Sequence, residues 1–317
     1  MKIKQLTLLV MILGLSGAAV ARNSTSAAEP ESQSKWSVGG DAIYGETGHD
    51  NSVYASGPTT ASPQTQFVAD RDAEWGFKVW AGYDMGNGIT KWIDWLRFHN
   101  DGKTSSTPPG GIFSSVVTDG DFSQLTGRQA SDFDQVTLQM AHTFKNNNGI
   151  NVKAHVGLQM VLLDATNTYG GTFTPGIPFN FEEKSEFDGG GVVAGVDLER
   201  MCGNTFSIFS RNQVGLAYGK LDTKAKAAIG SGSDRLIEKK NSVVPTINAE
   251  LGAAYNMELA SMDLRFEAGV RGTVIVDGVQ NFVFTSDNPS DDRYNWTESS
   301  IFFGGQVAFS HLAGIFG

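Results

Sequence analysis

The sequence predicts an all-β fold: an antiparallel transmembrane β-barrel of about ten strands, with long extracellular loops and short periplasmic turns. Three observations predict it. The first is the stretch Asp132 to Asp164, where Val136, Leu138, Met140 and Phe144 fall on one parity and Thr137, Gln139 and Thr143 on the other. After KNNNG, Val152, Ala154, Val156, Leu158, Met160 and Leu162 alternate with Lys153, His155, Gly157 and Gln159. Period two means strands, and the Asn/Gly turn makes them a hairpin with one oily and one wet face. The second is connection length: long segments beginning near 45, 100, 165, 219 and 277 alternate with short turns near 85, 145, 200 and 258. A barrel with one face of long loops and one of tight turns is built this way, whereas a soluble sandwich has no need of the asymmetry. The third is that no segment of the later chain offers the roughly 18 apolar residues of a helical span. Strands must cross any membrane it enters.

Residues 1–21 read as a signal peptide, with Lys2 and Lys4 before an apolar run from Leu6 to Leu15 and Ala19-Val20-Ala21 as the cleavage site. Residues 22–35 read as a flexible periplasmic leader and 36–317 as the barrel domain. Strand one is 36–44, with Trp36, Val38, Ala42 and Tyr44 outward, and strand two is 75–84, with Trp75, Phe77, Val79, Ala81 and Tyr83 outward and Lys78 inward. Strand three, 90–99, sets Trp92, Leu96 and Phe98 against Ile93 and Trp95, so its parity is undecided. The opening hairpin supplies strands four and five, and strand six is 184–199. Strand seven (205–218) faces out with Phe206, Ile208, Val214 and Leu216. Strand eight (240–257) does so with Val243, Ile247, Leu251 and Tyr255. Strand nine alternates Met262, Leu264, Phe266, Ala268, Val270, Val274 and Val276 with Asp263, Arg265, Glu267, Arg271 and Thr273, and strand ten is 296–312.

Lipid interfaces attract aromatic residues. The spacing assigns Trp75, Phe98, Phe187, Tyr218 and Trp296 to the outer girdle. It assigns Trp36, Tyr83, Trp92, Phe144, Tyr255 and Phe309 to the periplasmic one. His142, two residues from Phe144, belongs at the periplasmic interface.

The chain has 317 residues, 38 of them Gly, and a net charge of −10, which becomes −12 once Lys2 and Lys4 leave with the leader. That balance argues against nucleic-acid binding. The five long connections together carry −8, an acidic mouth that would concentrate cations. The sole cysteine, Cys202, cannot form an internal disulfide.

Several stretches resemble a known family. WGFKVWAGYDMGNGITKWIDWLRF, DFDQVTLQMAHTF, VKAHVGLQMVLLD, FSRNQVGLAYGKLD and the closing FFGGQVAFSH are similar to the Legionella-type major outer-membrane proteins. The resemblance implies a pore-forming barrel in the outer membrane. It also implies disulfide-linked assemblies, to which Cys202 could contribute at most one bridge.

The inward charges are the candidate pore lining: Lys78, Lys153, His155, Arg211, Glu250, Arg265, Glu267 and Arg271. Rings of charge set ion preference in pores, and the same groups could instead pair into a plug. The turn at 258–261 is expected to place Glu250 diagonal to Arg271 and Glu267 near Gly252. No spacing signature of a catalytic, cofactor or metal site is present. A hydrolase would have to use His99, Asp101, Asp132 and Asp134 at the outer rim, or His155 with Ser207 or Ser210. The reading is a passive, weakly cation-preferring outer-membrane pore for small solutes that is not an enzyme and uses no cofactor. The alternatives are a closed barrel serving as adhesin or envelope protein and, behind it, a hydrolase. Partners implied are outer-membrane lipid and lipopolysaccharide, small solutes or ions and the barrel-insertion machinery, with a homo-oligomer left open and nucleic acid excluded.

Overall fold

Alternating sequence becomes a closed ring of strands. A computed structural model of the chain describes residues 35–49, 53–56, 66–68, 72–86, 88–102, 104–107, 113–114, 122–145, 149–173, 176–259, 262–283 and 290–309. The expected signal peptide, nearly all of the leader and residues 310–312 of the tenth strand lie outside them. The barrel strands are β1 (Lys35–His49), β2 (Ala73–Asp84), β3 (Ile89–Asn100), β4 (Phe122–Lys145) and β5 (Ile150–Phe173). They continue with β6 (Ile177–Met201), β7 (Phe206–Ile229), β8 (Gly232–Glu258), β9 (Met262–Val283) and β10 (Ser290–Phe309). Each of β2 to β10 pairs antiparallel with its predecessor, β4 with β3 across the second long connection, and β1 closes the ring on β10 from Trp36↔Phe309 to His49↔Trp296. A closed ring leaves no unpaired backbone edge, the condition lipid imposes. The strands end where the tight turns are expected, and Gly149, the last residue of KNNNG, has a positive φ (73°).

Two expected loops are not loops. Residues 165–183 and 219–239 extend the β5–β6 and β7–β8 hairpins, which stay in register from Phe173↔Ile177 and from Ile229↔Gly232 downward. The reason is continued alternation: Tyr169, Phe181, Leu221, Ala225 and Ala227 stay buried on the inner parity, and the Tyr169 and Phe181 rings stack 5.7 Å apart. Strands β4 to β8 therefore run 24 to 27 residues, against about 9–11 needed to cross a bilayer. The fifth loop also shrinks: β9 continues past a bulge at Asp277 (φ 55°) to Val283. From the first two long connections, Val53–Ser56 pairs with Gln66–Val68 and Phe113–Ser114 as a small separate sheet.

The outer face is the expected lipid face. Val156, Leu158, Val214 and Leu251 are all more than half exposed, as is Trp75 at the outer interface. Trp36 packs on Tyr83 and Tyr44 on Trp75, with ring centroids 4.8 and 5.0 Å apart. Four girdle assignments are corrected. Phe98, Phe187 and Trp296 are buried, and Trp92 contacts His155, on the inner face. On β3 the cause is Asp94: the parity that keeps its carboxylate out of lipid carries Trp92, Leu96 and Phe98 inward with it. His142 sits as expected beside Phe144, ring centroids 4.6 Å apart.

Above Tyr218 the outward face of β6 and β7 turns from apolar to charged. There Lys184 and Lys224 both pair with Glu186, and Lys220 pairs with Asp222. The hydrogen bond from Lys184, reinforced by Lys224 and opposed by burial, holds the Glu186 carboxyl below its ordinary value.

Two outcomes test this picture. Leu158→Arg should cost about 2–4 kcal/mol in reversible unfolding from lipid, while Ile237→Arg, equally outward but beyond the membrane, should cost about 0–1 kcal/mol. Equal costs would show that the extended hairpins do not leave the bilayer. Because the folded-state value of Glu186 is depressed, its contribution is present above about pH 4.3 and lost as pH falls through the lower folded value. Protection factors for amide exchange in β6 above Phe187, corrected for the intrinsic rate at each pH, should fall in acid, and Glu186→Gln should flatten that dependence.

Candidate functional site

The lumen is built of two layers and a vestibule. Towards the cell exterior, the inward residues Ile43, Leu96, Phe98, Phe133, Val161, Leu163, Phe187, Leu221, Val244, Ile275 and Trp296 are each at most 2% exposed. Nine of the ten strands contribute; β2 places Gly76 against the Phe98 ring, where an added Cβ would stand 2.7 Å away. Phe133 and Trp296 meet with centroids 4.7 Å apart. This apolar layer seals the barrel.

Below it lies a polar belt. Gln135 donates to Gln159 (2.9 Å), as does Thr246 (3.1 Å), while Asn248 donates to Gln135 (3.1 Å) and Gln139 to Gln213 (2.9 Å). Thr137 donates to Asp94. Next to these amides, Glu250 accepts Lys78 (2.9 Å), Arg211 (3.1 Å) and Arg271 (3.2 Å). Glu267 accepts Arg211 (2.6 Å) and Arg265 (3.1 Å); Arg265 also reaches Glu199, and Arg271 lies 3.5 Å from Glu298. The register makes this possible. Glu250 stands directly opposite Arg211 on one side and Arg271 on the other. The expected diagonal offset is thus corrected to a direct pair, and Glu267 faces Ala254 rather than Gly252, because the β8–β9 turn centres one residue later than the sequence suggested.

Six of the eight candidate lining residues, Lys78, Arg211, Glu250, Arg265, Glu267 and Arg271, therefore form one network. Lys153 and His155 stand apart from it, Lys153 on the ladder row of Asp197, Arg211 and Glu250 and His155 on that of Gln213 and Asn248. The Lys153 ammonium lies 4.0 Å from the Trp92 ring centroid, and His155, almost fully buried, has Nε2 3.2 Å from Asp197 Oδ1. A Cβ on Gly195 would fall 2.4 Å from the His155 ring, so that glycine makes room for it. Two adjoining cavities of about 330 and 520 Å³ share Lys153, Asp197 and Arg211 in their lining; the first reaches into the belt itself, where Gln135, Gln139, Asn248 and Glu250 line it. Reading only ionised groups on unambiguous strands missed Asp41, Asp94, Asp197, Glu199 and Glu298. Asp41 and Glu298 share the inner parity of β1 and β10, which could have found them.

At the outer rim His99 bonds Asp132 and lies 3.1 Å from Asp101, while Asp134 takes the Trp95 indole N–H (2.8 Å). These groups are on the outer face of the wall. Ser207 bonds Glu199 (2.6 Å) and Ser210 bonds Asn212 (2.9 Å). Among the described residues no group of three or more His, Cys, Asp or Glu is placed to hold a metal ion.

A closed antiparallel ring with an oily belt outside and paired charges inside defines an outer-membrane β-barrel protein. The family model described as Legionella pneumophila major outer membrane protein precursor matches residues 28–309. The chain belongs to that family, and its place is the outer membrane. A search of curated proteins finds no match. Similar solved structures include the outer membrane protease OmpT from Escherichia coli, at 8% identity over 90% of this chain and 98% of that chain, TM-score 0.42. A Pseudomonas aeruginosa FadL homologue matches at 6% identity (88% and 90% of the two chains, TM-score 0.28), and Neisserial surface protein A at 13% (87% and 97%, TM-score 0.26). At such similarity none of them bears on what this chain does.

Removing the Glu250 charge leaves Lys78, Arg211 and Arg271 short of their common partner. Glu250→Gln should destabilise the folded barrel by about 3–5 kcal/mol, read from urea titrations in lipid. A loss under about 1 kcal/mol would show that the belt is hydrated and screened.

Proposed function

We propose that the protein is a small-solute pore of the outer membrane, shut in this conformation by the apolar layer and preferring cations when open. The observation that carries the reading is a charged, water-accessible lumen that runs from the periplasmic mouth to the belt and stops at a seal made, among the described residues, of side chains alone. Apolar constrictions of this kind gate pores by dewetting. Free passive diffusion needs an open path, so the reading is of a gated pore rather than an always-open one. The cation preference is supported by the −8 carried on the five extracellular segments.

A second reading is favoured by the same seal together with the long hairpins: a permanently closed barrel that displays β4–β8 as an adhesin or envelope structural protein. On either reading the partners are outer-leaflet lipid and lipopolysaccharide, the barrel-insertion machinery and, in an oligomer, further copies of the chain. No enzymatic role is proposed. Lipid or peptide hydrolysis by the purified protein that disappears in His99→Ala would be the finding against that.

Planar-bilayer recording separates the two readings. The wild type should show rare, brief openings, and Phe98→Ala with Trp296→Ala should show frequent steps whose reversal potential in a KCl gradient lies on the cation side. Silence from both proteins, each verified as folded, would sink the pore reading and leave the display reading. Reversal on the anion side would remove the cation preference alone.

A further inference from the structure

Most lumen charges are consumed by each other. Glu250, Glu267, Glu199 and Glu298 engage Lys78, Arg211, Arg265 and Arg271. Lys153 and Asp197 differ. They face each other across the β5–β6 ladder, both on the inner face, where an ion pair would be the simplest outcome. Among the described residues Lys153 makes no ion pair within 4.0 Å; its ammonium rests on Trp92 instead, and Asp197 is approached by His155 Nε2 at 3.2 Å. An ammonium has three donors and one ring face meets only one of them, while a carboxylate has about four acceptor positions and the His155 ring, near as it is, makes no hydrogen bond to Asp197. Both residues line both cavities, so they stand where the two adjoin.

A positive and a negative group side by side select by charge pattern. A lone anion drawn to Lys153 is repelled by Asp197, and a lone cation drawn to Asp197 is repelled by Lys153. A solute carrying both charges a few ångströms apart gains from both. The cavity of about 330 Å³ is within the roughly 300–1,000 Å³ range of small-molecule sites. Trp92 and Trp80 give it aromatic walls, and Gln139 and Gln213 supply amides.

We propose that the periplasmic vestibule binds a small zwitterion of the α-amino acid class, its carboxylate on Lys153, its ammonium on Asp197 and its body against Trp92. The site opens to the periplasmic side, so binding does not depend on the barrel ever conducting. A silent bilayer recording would leave this inference intact.

Calorimetric titration of the folded protein in detergent with L-alanine, propionate and isopropylamine tests it. L-Alanine should bind, with propionate and isopropylamine each about tenfold weaker or more, since each forfeits one charge-assisted contact. Lys153→Gln and Asp197→Asn, each confirmed as folded by heat-resistant compact migration in gel electrophoresis, should weaken alanine binding by at least about the same factor. The solute series on the wild type needs no variant, so a variant that fails to fold leaves the test in force. Absence of alanine binding at tens of millimolar, equal binding of alanine and propionate, or undiminished binding by either folded variant would each overturn the proposal.

Discussion

A carboxylate drawn out of water at the centre of a bilayer must find cations, and Glu250 finds three. Two come from its neighbours: Arg211 on β7 and Arg271 on β9 stand opposite it in register. The third, Lys78, belongs to β2, which is no neighbour of β8, so this contact ties one wall of the barrel to another across the lumen. The amides repeat the pattern. Asn248 on β8 reaches Gln135 on β4, and Thr246 on β8 reaches Gln159 on β5. A slip of one residue in any of these strands would turn the ion pairs into lipid and the oily face into the lumen. The belt therefore fixes register as firmly as the hydrophobic pattern outside does.

The same accounting explains why the lumen has two chemistries. In a barrel of about ten strands, inward side chains can meet across the interior. Where they are long and ionised they meet as a network, and where they are apolar they close as a core. The apolar residues form the middle layer, the ion-pair network holds the periplasmic half, and a smaller polar cluster around Ser185, Thr223 and Gln280 lies beyond the apolar layer. Trp296 and Phe133 close the apolar layer, while Phe209, lower down, carries the Arg211 and Arg265 guanidinium groups on its ring at 4.3 and 5.3 Å.

The hairpin of β4 and β5 was legible because lipid exposure makes one parity uniformly apolar, and the outward residues read there keep some exposure in the structure, except Val136, which is buried. Where both parities carry large apolar groups the pattern is silent. On β3 only the burial requirement of Asp94 decides between Trp92, Leu96, Phe98 and Ile93, Trp95, and on β6 the run of glycines hides the parity of Phe187. The extended hairpins were illegible for a different reason. Beyond the membrane the outward residues turn polar, so LDTKAKAAI resembles a charged loop even though Leu221, Thr223, Ala225 and Ala227 alternate inward with Lys224 and Lys226 outward. The ion-pair network was half legible: the charges could be placed on the inner face, but their closure into pairs depends on a register that a one-residue difference in the β8–β9 turn decides.

The orientation of the two layers constrains function more than the strand count does. With the apolar layer between the two sides, a polar solute from the periplasm can reach Lys153, Asp197 and the belt, whereas one from the exterior meets a polar cluster of Ser185, Thr223, Glu238 and Gln280 and then the apolar seal. Opening the apolar layer would require displacement of Phe98, Phe133 and Trp296, whose inward positions are held by backbone pairing that the transmembrane ring cannot relax without exposing polar groups to lipid. Side-chain rotation is the motion left available, since it breaks no ladder bond. Hydration of the lumen would follow such rotation and would meet a belt whose charges are already neutralised in pairs, so permeating ions would pass near-neutral clusters rather than a ring of one sign. Selectivity in such a barrel would then fall to the charges that remain outside the pairs, on the extracellular segments above and at Asp41, Asp94, Lys153 and Asp197 within the lumen.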